Sequence, residues 1–312
     1  MDRSNLTIVR SFNEQSIPDL DVALLGALEL FAEMPPPPFP TLPYTRPLVV
    51  GSEGAAVTGR MLFDDADAVF ANESTYEARL AAVPGIDGAV IISASGGKHA
   101  VPTARRLKEK GIPATLFTNN PDAPAHKFLE KGSLIVFPKN REPYSYNTST
   151  YLGMILSKTR ESPADIHAFI TESVLSKIPE NLGAYDAFFL IVPECFDTFR
   201  SMLATKFDEL FGPKVSVRVF TLEQAKHAKT IVSSESECFI SFGEPQDLFG
   251  TPDRRVHIPL PDTAGFAAMM AIGYFTVGAI QKQHPPYFKN TIAEYTKKAS
   301  EVFGSTIPII VS

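Results

Sequence analysis

The sequence predicts an α/β protein made of two tandem, doubly wound parallel-sheet units in α-β-α layers, with a helix at the N-terminus. Short apolar runs recur along the chain, as is typical of strands buried on both faces of a parallel sheet. Stretches of helical composition follow many of these runs, and alternating strands and helices favour parallel pairing. The pattern restarts after residue 180, which indicates a second unit of similar layout.

Composition and charge narrow the class of protein. The 312 residues are 44% hydrophobic and 21% charged, which is ordinary for a globular chain that buries a sizeable core. The net charge of −6 disfavours a nucleic-acid partner, because such binding relies on clustered Lys and Arg. Neither Cys195 nor Cys238 lies in a C-x-x-C motif, so no zinc or disulfide framework is expected. With no signal-peptide pattern and no apolar run of about 18 residues, we expect a cytoplasmic enzyme or ligand-binding protein without a membrane span.

Residues 1–46 form the predicted N-terminal region. Asp19 to Glu33 has the periodicity of a helix with an apolar face, which needs a partner surface on the main body or on a second subunit. The run PPPPFP, from Pro35 to Pro40, disfavours both helix and strand. We interpret it as a stiff surface connector, with a ligand for a proline-binding domain as the alternative.

Residues 47–180 form the first predicted unit, in which strands and helices alternate. Gly111 and Pro113 mark the end of one of its helices. The predicted strands are Pro47–Val50, Val90–Ile92, Ala114–Phe117 and Ser133–Phe137. The predicted helices are Ala55–Phe63, Ser74–Val83, Ala100–Lys110, Asn147–Lys158 and Ala164–Ile178.

Residues 181–312 form the second predicted unit, in which ligands are again expected at the carboxyl ends of the strands. The predicted strands are Ala187–Val192, Val215–Phe220, Glu237–Phe242 and, as an additional strand, Arg254–Leu260. The predicted helices are Cys195–Phe211, Gly265–Gln281 and Ile292–Phe303.

The turn S-A-S-G-G between a buried strand and a helix of the first unit is the first candidate site. Ser93 and Ser95 offer hydroxyl donors, and Gly96 and Gly97 let a ligand approach the backbone. The N-terminus of the following helix favours an anion, so the turn is a candidate phosphate cradle. The alternative is an ordinary β-α turn with an N-capping serine. Neither the G-K-[ST] ending nor G-x-G-x-x-G is present, so no nucleotide fingerprint supports the site.

The second unit carries two groups of polar residues at helical spacing. Lys206 and Glu209 are three residues apart and share a helix face, although most such pairs are solvated surface ion pairs. Glu223 and His227 are four apart, and a lone helical histidine is usually a surface or capping residue. No H-E-x-x-H or G-x-S-x-G motif occurs, so the sequence does not support a zinc enzyme or a serine hydrolase.

Six motifs, in order, resemble those of the sugar isomerase (SIS) domain family. The resemblance is to enzymes with two SIS domains, such as the isomerase half of glucosamine-6-phosphate synthase, fructosamine-6-phosphate deglycases and archaeal phosphoglucose/phosphomannose isomerases. It covers roughly Pro47 to Thr296 and implies SIS units of the flavodoxin-like type. The six motifs are LVVGSEGAA, IISASGG, VFPKNREPYSYNTSTYLGMIL, FFLIVPECFDTFRSMLATKFDEL, EQAKHAK with Lys229 as its last residue, and FAAMMAIGYFTVGAIQ.

The resemblance implies roles for individual residues. Glu209 falls on the family's catalytic glutamate and His227 on the histidine that helps to open the sugar ring. That histidine often reaches the active site of a neighbouring subunit, so a homodimer is implied, with a sugar phosphate as the small-molecule partner and no metal or other cofactor. The positions implied to bind substrate or phosphate are Ser52, Ser93, Ser95, Gly96 and Lys98.

The sequence also departs from the family pattern. Lys98 stands where many members have a phosphate-binding threonine, and a lysine there can pair with phosphate as a point charge. Glu53 stands where glucosamine-6-phosphate synthase has a serine. A carboxylate aimed at a bound phosphate would repel it, so the alternative interpretation is a cationic or amino-bearing substrate. Aligning residues 290–296 with the family's C-terminal tail puts Ala293 in place of its lysine. Lys289, our candidate, and Lys297 and Lys298 are near enough to replace it.

Three functions therefore remain open at this point. The first is a phosphosugar isomerase that acts on an aldose–ketose or amino-sugar phosphate. The second is a deglycase of a fructosamine or amino-acid–sugar phosphate, which also uses a glutamate and a histidine. The third is a non-catalytic regulatory protein that only binds a sugar phosphate.

Overall fold

The computed structural model describes residues 4–228 and 231–312, so Lys229 of the histidine motif lies outside the described residues. The helices are α1 (Ser4–Ser11), α2 (Leu20–Glu33), α3 (Gly54–Leu62), α4 (Tyr76–Ala82), α5 (Ala100–Glu109), α6 (Thr148–Thr159), α7 (Pro163–Phe169), α8 (Arg200–Phe211), α9 (Leu222–Ala228), α10 (Phe266–Gln283) and α11 (Tyr287–Phe303). The strands are β1 (Pro47–Val50), β2 (Val69–Ala71), β3 (Gly88–Ile92), β4 (Ala114–Thr118), β5 (Leu134–Val136), β6 (Glu142–Pro143), β7 (Ala187–Val192), β8 (Ser216–Thr221), β9 (Glu237–Phe242), β10 (Arg255–Ile258) and β11 (Ile310–Val311).

The chain divides into two compact units that interleave along the sequence. The first-sheet unit holds residues 34–139 and 150–160. The second-sheet unit holds the chain up to Glu33, residues 140–149 and residues 161–312. The predicted domains 1–46, 47–180 and 181–312 stay a prediction, although β1 to β5 lie within the second of these ranges and β7 to β10 within the third.

The first-sheet unit is built on a parallel sheet with the strand order β2-β1-β3-β4-β5. The three central strands are buried along their whole length, whereas the edge strands are largely half-buried. This explains why the central strands read as unbroken apolar runs. Val50 of β1 pairs with Ile91 of β3, so the turns after these strands begin side by side, about 5 Å apart.

The second-sheet unit contains a parallel sheet of order β10-β9-β7-β8 and a short antiparallel pair of β6 with β11. Buried β7 and β9 are again central. Helix α2 packs within this unit against α10, where a Cβ on Gly278 would lie 2.1 Å from the Asp21 nitrogen. Its apolar face therefore has a partner on the main body, the first of the two predicted possibilities.

Helix α10 is apolar on all sides, and fifteen of its residues are buried. Its first N–H groups have no partner within the helix, and the Glu161 carboxylate accepts hydrogen bonds from Gly265 (2.8 Å), Ala267 (2.9 Å) and Ala268 (3.2 Å). A Cβ on Gly265 would lie 2.7 Å from Glu161 Oε2, so the glycine leaves room for the carboxylate at this helix N-terminus. None of the helices in the described residues is long and apolar enough to cross a membrane.

The proline run is neither helix nor strand, as predicted, and it is docked within the first-sheet unit. The Phe39 ring contacts the rings of Phe63 and Phe117, with centroids 5.8 and 5.7 Å apart. Ser157 Oγ donates a hydrogen bond to the Pro37 carbonyl at 2.6 Å. These contacts support the interpretation as a connector along the surface.

The sequence-based elements differ from the structure in several places. Helix α1 and strands β2, β6 and β11 are not predicted by the sequence, because each is eight residues or shorter and carries too few apolar positions to show a period. Helix α9 is anticipated only through the helical spacing of Glu223 and His227. The predicted helix over 164–178 is α-helical only through Phe169, and it continues as a π-turn and a 3₁₀ turn. The predicted helix from Cys195 begins as a 3₁₀ turn, kinked at Phe196, before α8 starts at Arg200.

Candidate functional site

The phosphate turn, residues 93–97, lies between β3 and α5. Ser93 Oγ accepts a hydrogen bond from the Gly96 N–H, and Ser95 Oγ accepts one from the Gly97 N–H, both at 3.2 Å. A hydroxyl oxygen that accepts a bond still carries an O–H that can donate to a phosphate oxygen. Ser95 is exposed and Ser93 is half-buried, so a ligand can reach both from the end of the sheet.

Residues at the end of β4 hold the carbonyls of this turn. Thr118 Oγ1 and the Asn119 N–H both donate to the Ala94 carbonyl at 2.9 Å. Asn120 Nδ2 donates to the Ser95 carbonyl at 3.0 Å. The C=O and N–H of a trans peptide point in opposite directions, so fixing a carbonyl also fixes the direction of the next residue's N–H. The segment after β4 therefore sets the orientation of the turn's backbone donors.

Gly96 is required by the shape of the turn. Its φ of 61° is in the left-handed region, and a Cβ there would lie 2.4 Å from the Cβ of Ala123. Its carbonyl also accepts a hydrogen bond from the Ala125 N–H at 2.9 Å. Lys98, one residue beyond the turn, is exposed and has a φ of 33°, which is uncommon for a residue with a side chain.

The turn after β1 lies beside the phosphate turn in the sheet order and is also strained. Glu53 has φ 45° and ψ −116°, a conformation that costs a residue with a side chain about 1–3 kcal/mol. Its side chain is exposed, and Ser52 before it is half-buried. Gly54 follows because the Tyr151 ring leaves no room, with Cε2 2.9 Å from where a Cβ would be. The sequence therefore displays a carboxylate at the end of the sheet at some cost in stability.

In the second-sheet unit, Glu209 lies on α8 and is held by Lys206. Lys206 Nζ is 2.6 Å from Glu209 Oε2, and the Lys206 residue is 2% exposed. The same Nζ donates to the carbonyls of Ser145 (2.6 Å) and Tyr146 (2.9 Å) and lies 5.1 Å from the centre of the Tyr274 ring. The alternative of a solvated surface ion pair is therefore wrong for Lys206. The Glu209 side chain remains 26% exposed, so one side of the carboxylate faces solvent.

We call Ser145 and Tyr146, whose backbone carbonyls accept hydrogen bonds from Lys206, the shelf. Ser145 has φ 73° and the following Asn147 has φ 50°, so the backbone is sharply bent on both sides of Tyr146. Burial raises the pKa of the neighbouring Tyr144, and the nearby Tyr295 and Glu209 raise it further. The shelf and Tyr144 thus lie close to the Lys206–Glu209 pair.

The other two candidate residues of the second-sheet unit lie on separate helices. His227 is exposed on the seven-residue α9, where its neighbour Lys226 pairs with Glu223 at 2.6 Å. Lys289 lies near the start of α11 and pairs with Asp19 at 2.8 Å. Residues 290–296, aligned with the family's tail, belong to α11 in this structure. The described residues contain no group of three or more His, Cys, Asp or Glu side chains that could hold a metal ion.

Comparison with known proteins identifies the fold. No family model and no curated relative matches the sequence. Solved structures match it, at low sequence identity but over most of the chain. Tagatose-6-phosphate ketose/aldose isomerase from Escherichia coli has a TM-score of 0.56 and 12% identity, covering 86% of this chain and 89% of that one. The C-terminal domain of glucosamine-fructose-6-phosphate aminotransferase from Francisella tularensis has a TM-score of 0.57 and 13% identity, covering 91% and 94%.

A third neighbour is glucosamine-6-phosphate deaminase from Thermotoga maritima, with a TM-score of 0.56 and 13% identity, covering 91% of this chain and 95% of that one. The chain has the fold of two SIS domains. The fold class predicted from the sequence is therefore confirmed. Identities of 10–14% establish the fold alone, so the activity remains a proposal.

The candidate residues lie close together in the first-sheet unit but are spread over several helices in the second-sheet unit. In the first-sheet unit, Ser52 and the phosphate turn lie at the carboxyl ends of neighbouring strands. In the second-sheet unit, Glu209 is joined to Lys206, whereas His227 and Lys289 are on other helices. The assigned roles of all these residues stay predictions.

Sequence reasoning did not single out the groups that support these residues. Thr118, Asn119 and Asn120 follow an apolar strand as T-N-N, and polar residues directly after a buried strand are a usable signal. The shelf carries no comparable signal, because it contributes backbone carbonyls rather than side chains.

Proposed function

We propose that this chain is a phosphosugar isomerase that acts on an aldose–ketose or amino-sugar phosphate. The phosphate turn, with Ser52 and Lys98, binds the phosphate group of the substrate. Glu209 is the acid/base, and His227 opens the sugar ring. Lys289 is the candidate for the family's tail lysine.

The proposed chemistry suits these residue types. Isomerisation needs one base that takes a proton from C2 and returns it at C1, and a positioned carboxylate can do both. Ring opening needs a group that exchanges a proton near neutral pH, as histidine does. The phosphate is remote from the reacting carbons, so its binding energy is available to orient them.

The observation that carries the proposal is the support of Glu209 by a buried lysine. The chain offers a contrast in its surface pairs, such as Lys298 with Glu294, where both side chains are about 70% exposed. Surface pairs of that kind contribute little to stability. A lysine that is 2% exposed and points at a partly exposed carboxylate instead fixes that carboxylate in one position. The names of the structural neighbours, two of which contain a sugar phosphate and an amine, support the same substrate class.

A deglycase of an amino-acid–sugar phosphate is the second candidate function. It is favoured by Glu53, whose strained backbone holds a carboxylate beside the phosphate turn. A carboxylate there would attract an ammonium group on the substrate and repel a second phosphate. Release of free amine from a fructosamine phosphate would distinguish this reaction, and absence of release would exclude it for the substrate used.

A regulatory protein that binds a sugar phosphate without converting it is the third candidate. It is favoured by two departures from the family pattern: Gly97 of the phosphate turn stands where many members have Glu or Asn, and Lys98, just beyond the turn, stands where they have a threonine. It predicts tight binding of a sugar phosphate and no conversion of any aldose or ketose phosphate in the panel described next.

The test is a thermal-shift screen of aldose, ketose and amino-sugar phosphates and their amino-acid adducts, followed by turnover assays on the hits. A ligand at about 100 times its Kd should raise the free energy of unfolding by about 2.7 kcal/mol. The proposal would be contradicted if no ligand of the panel, and neither inorganic phosphate nor sulfate, raised the melting temperature. We also propose that the protein is a cytoplasmic homodimer, which light scattering of the purified chain tests for the oligomeric state.

Substitution of Glu209 tests the acid/base role directly. Glu209→Gln should reduce kcat by at least about 100-fold, because removing a general acid/base loses about 10²–10⁴ in rate. The Kd for the phosphosugar should stay within about threefold, since the amide keeps the shape of the side chain. Glu294→Gln is the matched control, because that glutamate also pairs with a lysine but is exposed on α11. A Glu209→Gln protein with full activity would exclude the assignment.

A further inference from the structure

Lys206 is the first step of a chain of contacts that begins at Glu209. A lysine ammonium has three N–H donors and no acceptor. All three have an acceptor in this structure: Glu209 Oε2 and the carbonyls of Ser145 and Tyr146. No N–H remains to bind a substrate while these bonds persist. Lys206 is therefore a positioning residue for Glu209, and the shelf determines where its ammonium lies.

The second step is the fixation of the shelf from within its own segment. The Glu142 carboxylate accepts a hydrogen bond from the Thr148 N–H at 2.6 Å and another from the Ser149 hydroxyl. Glu142 is 3% exposed, so these bonds are buried. They close the bend between β6 and α6 and hold it in the conformation that turns two carbonyls toward one point.

The third step is the anchoring of the Tyr146 side chain. Its ring is fully buried, and its hydroxyl donates to the Pro18 carbonyl at 2.9 Å. The same hydroxyl accepts a hydrogen bond from Gln281 Nε2 at 3.1 Å, and Gln281 Oε1 accepts the N–H of Leu20 at 2.8 Å. The shelf is thus tied to both α2 and α10.

The fourth step is strand β11, which holds the other end of the bend. Ile310 pairs with Pro143 and Val311 with Glu142, antiparallel. The Tyr144 N–H donates to the Ile309 carbonyl at 2.7 Å, one residue before the shelf. This pair of strands has only two residues each, and β11 is half-buried, so it is easily opened.

We propose that β11 is a positioning element for the Glu209 carboxylate, acting through Tyr144, the shelf and Lys206. When β11 is paired, the carbonyls of Ser145 and Tyr146 hold the Lys206 ammonium against Glu209. When β11 is released, the shelf loosens, and Lys206 loses the two acceptors that fix it. The inference rests on the proposed function only in that Glu209 is the acid/base, because the chain of contacts itself does not depend on the reaction.

The test opens β11 by one substitution. Val311→Pro removes an N–H from the strand and disfavours pairing, whereas the control Val311→Thr keeps the N–H and a β-branched side chain. Acylation of lysines in the full-length protein, read by mass spectrometry, then reports the accessibility of each ammonium. Hydrogen exchange of the Tyr144 amide reports whether the strand pair has opened.

We expect Lys206 to be almost unreactive in the unaltered protein and in Val311→Thr, and its labelling rate to rise about tenfold in Val311→Pro as local opening becomes more frequent. Lys158, which pairs with Asp65 at 2.8 Å within the first-sheet unit, is the internal control and should not change. Labelling of Lys206 that stays low although the Tyr144 amide exchanges freely would overturn the proposal. If Val311→Pro unfolds the whole chain, both lysines become reactive together, and the milder Val311→Gly carries the same comparison.

Turnover supplies the second readout and separates this inference from the proposed function. On a phosphosugar that the screen identifies as a substrate, Val311→Pro should lower kcat about tenfold and leave KM within about twofold, because binding is unaffected while the acid/base is misplaced. Equal losses in Val311→Thr would overturn the positioning role. If the unaltered protein converts no sugar phosphate, the proposed function fails, and the labelling of Lys206 still decides whether β11 fixes this lysine.

Discussion

The phosphate turn and the shelf both use bent backbone to hold polar groups in place, but they are built over different distances in the sequence. The carbonyls of the turn are held by side chains 24 and 25 residues away, at the end of the neighbouring strand β4 and just after it. The carbonyls of the shelf hold a lysine 60 and 61 residues away, and the segment is tied to α2, α10 and β11 as well. A substitution in the phosphate turn is therefore expected to change the structure only near the turn. A substitution that disrupts the shelf is expected to lower the stability of the whole second-sheet unit.

The largest expected effect is that of Lys206→Met, which removes the cation at the centre of the shelf. It leaves the two shelf carbonyls and one oxygen of the partly exposed Glu209 carboxylate without their donor. Each unsatisfied buried carbonyl costs about 1–3 kcal/mol. Urea denaturation should show this loss in the free energy of unfolding. Lys298→Met, at an exposed pair, is the control and should change stability by no more than about 0.5 kcal/mol. If Lys206→Met and Lys298→Met lower the free energy of unfolding by the same small amount, the contacts between the Lys206 ammonium and the shelf do not stabilise the protein.

Gly96→Ala should have the next largest effect, at the centre of the phosphate turn. Strain at φ 61° together with the overlap with Ala123 should cost about 2–3 kcal/mol and abolish the thermal shift caused by inorganic phosphate. Gly111→Ala is the matched control, because Gly111 has φ 69° but no atom within 4 Å of the position that a Cβ would take. The difference between the two variants isolates the overlap from the backbone strain. Equal costs would show that the turn relaxes around the methyl group.

Asn120→Ala should have a smaller effect that is confined to the turn. Loss of its hydrogen bond to the Ser95 carbonyl should cost about 1 kcal/mol of stability. The phosphosugar Kd should rise about tenfold and kcat should stay the same, because only the orientation of the binding donors changes. Asn72→Ala removes an asparagine that also organises a turn of the first-sheet unit, and it should leave the Kd unchanged. Calorimetric titration measures the Kd of both variants. An unchanged Kd for Asn120→Ala would contradict the proposal that the segment after β4 orients the donors of the phosphate turn.

The smallest expected effect is a gain in stability from Glu53→Gly. Glycine adopts the observed φ of 45° without strain, and after its own entropic cost the gain should be about 0.5–1 kcal/mol. Glu53→Ala keeps the strain and removes the carboxylate, so it should not stabilise the protein. If both variants weaken binding of an amine-bearing sugar phosphate but not of a sugar phosphate without an amine, the Glu53 carboxylate contributes to recognition of the amine. A destabilised Glu53→Gly would refute the strain argument.

The same comparison explains what could be predicted from the sequence. The place of the phosphate turn can be predicted because the residues that form it are adjacent, and because a buried strand and a helix on either side fix its position at the end of the sheet. Glu209 becomes a candidate through its spacing from Lys206 and through the resemblance to the SIS family, and its role stays a prediction. The burial of Lys206 cannot be predicted from the sequence, because the pattern K-x-x-E is the same on a solvent-exposed helix face and on a face that packs against backbone carbonyls.

Other features were out of reach for a related reason. The shelf depends on the positive φ angles of Ser145 and Asn147, and sequence preferences give little warning of these for serine. Strand β11 is only two residues long and pairs with a segment more than 160 residues earlier, so no local period reveals it. The strain at Glu53 was also hidden, because only the backbone angles show that a glutamate occupies a conformation suited to glycine.

The interleaving of the two units has a consequence for synthesis on the ribosome. All segments of the first-sheet unit have been made once residue 160 has emerged, whereas the second-sheet unit combines the chain up to Glu33 with segments as late as β11. Domains generally fold as units as their segments emerge. Helix α2, ten of whose residues are buried in the finished protein, packs against α1 and α7 as well as α10. The part of its apolar face that α10 covers therefore stays exposed until α10 has been translated. During that interval the nascent chain is a natural client for a chaperone that shields apolar helices.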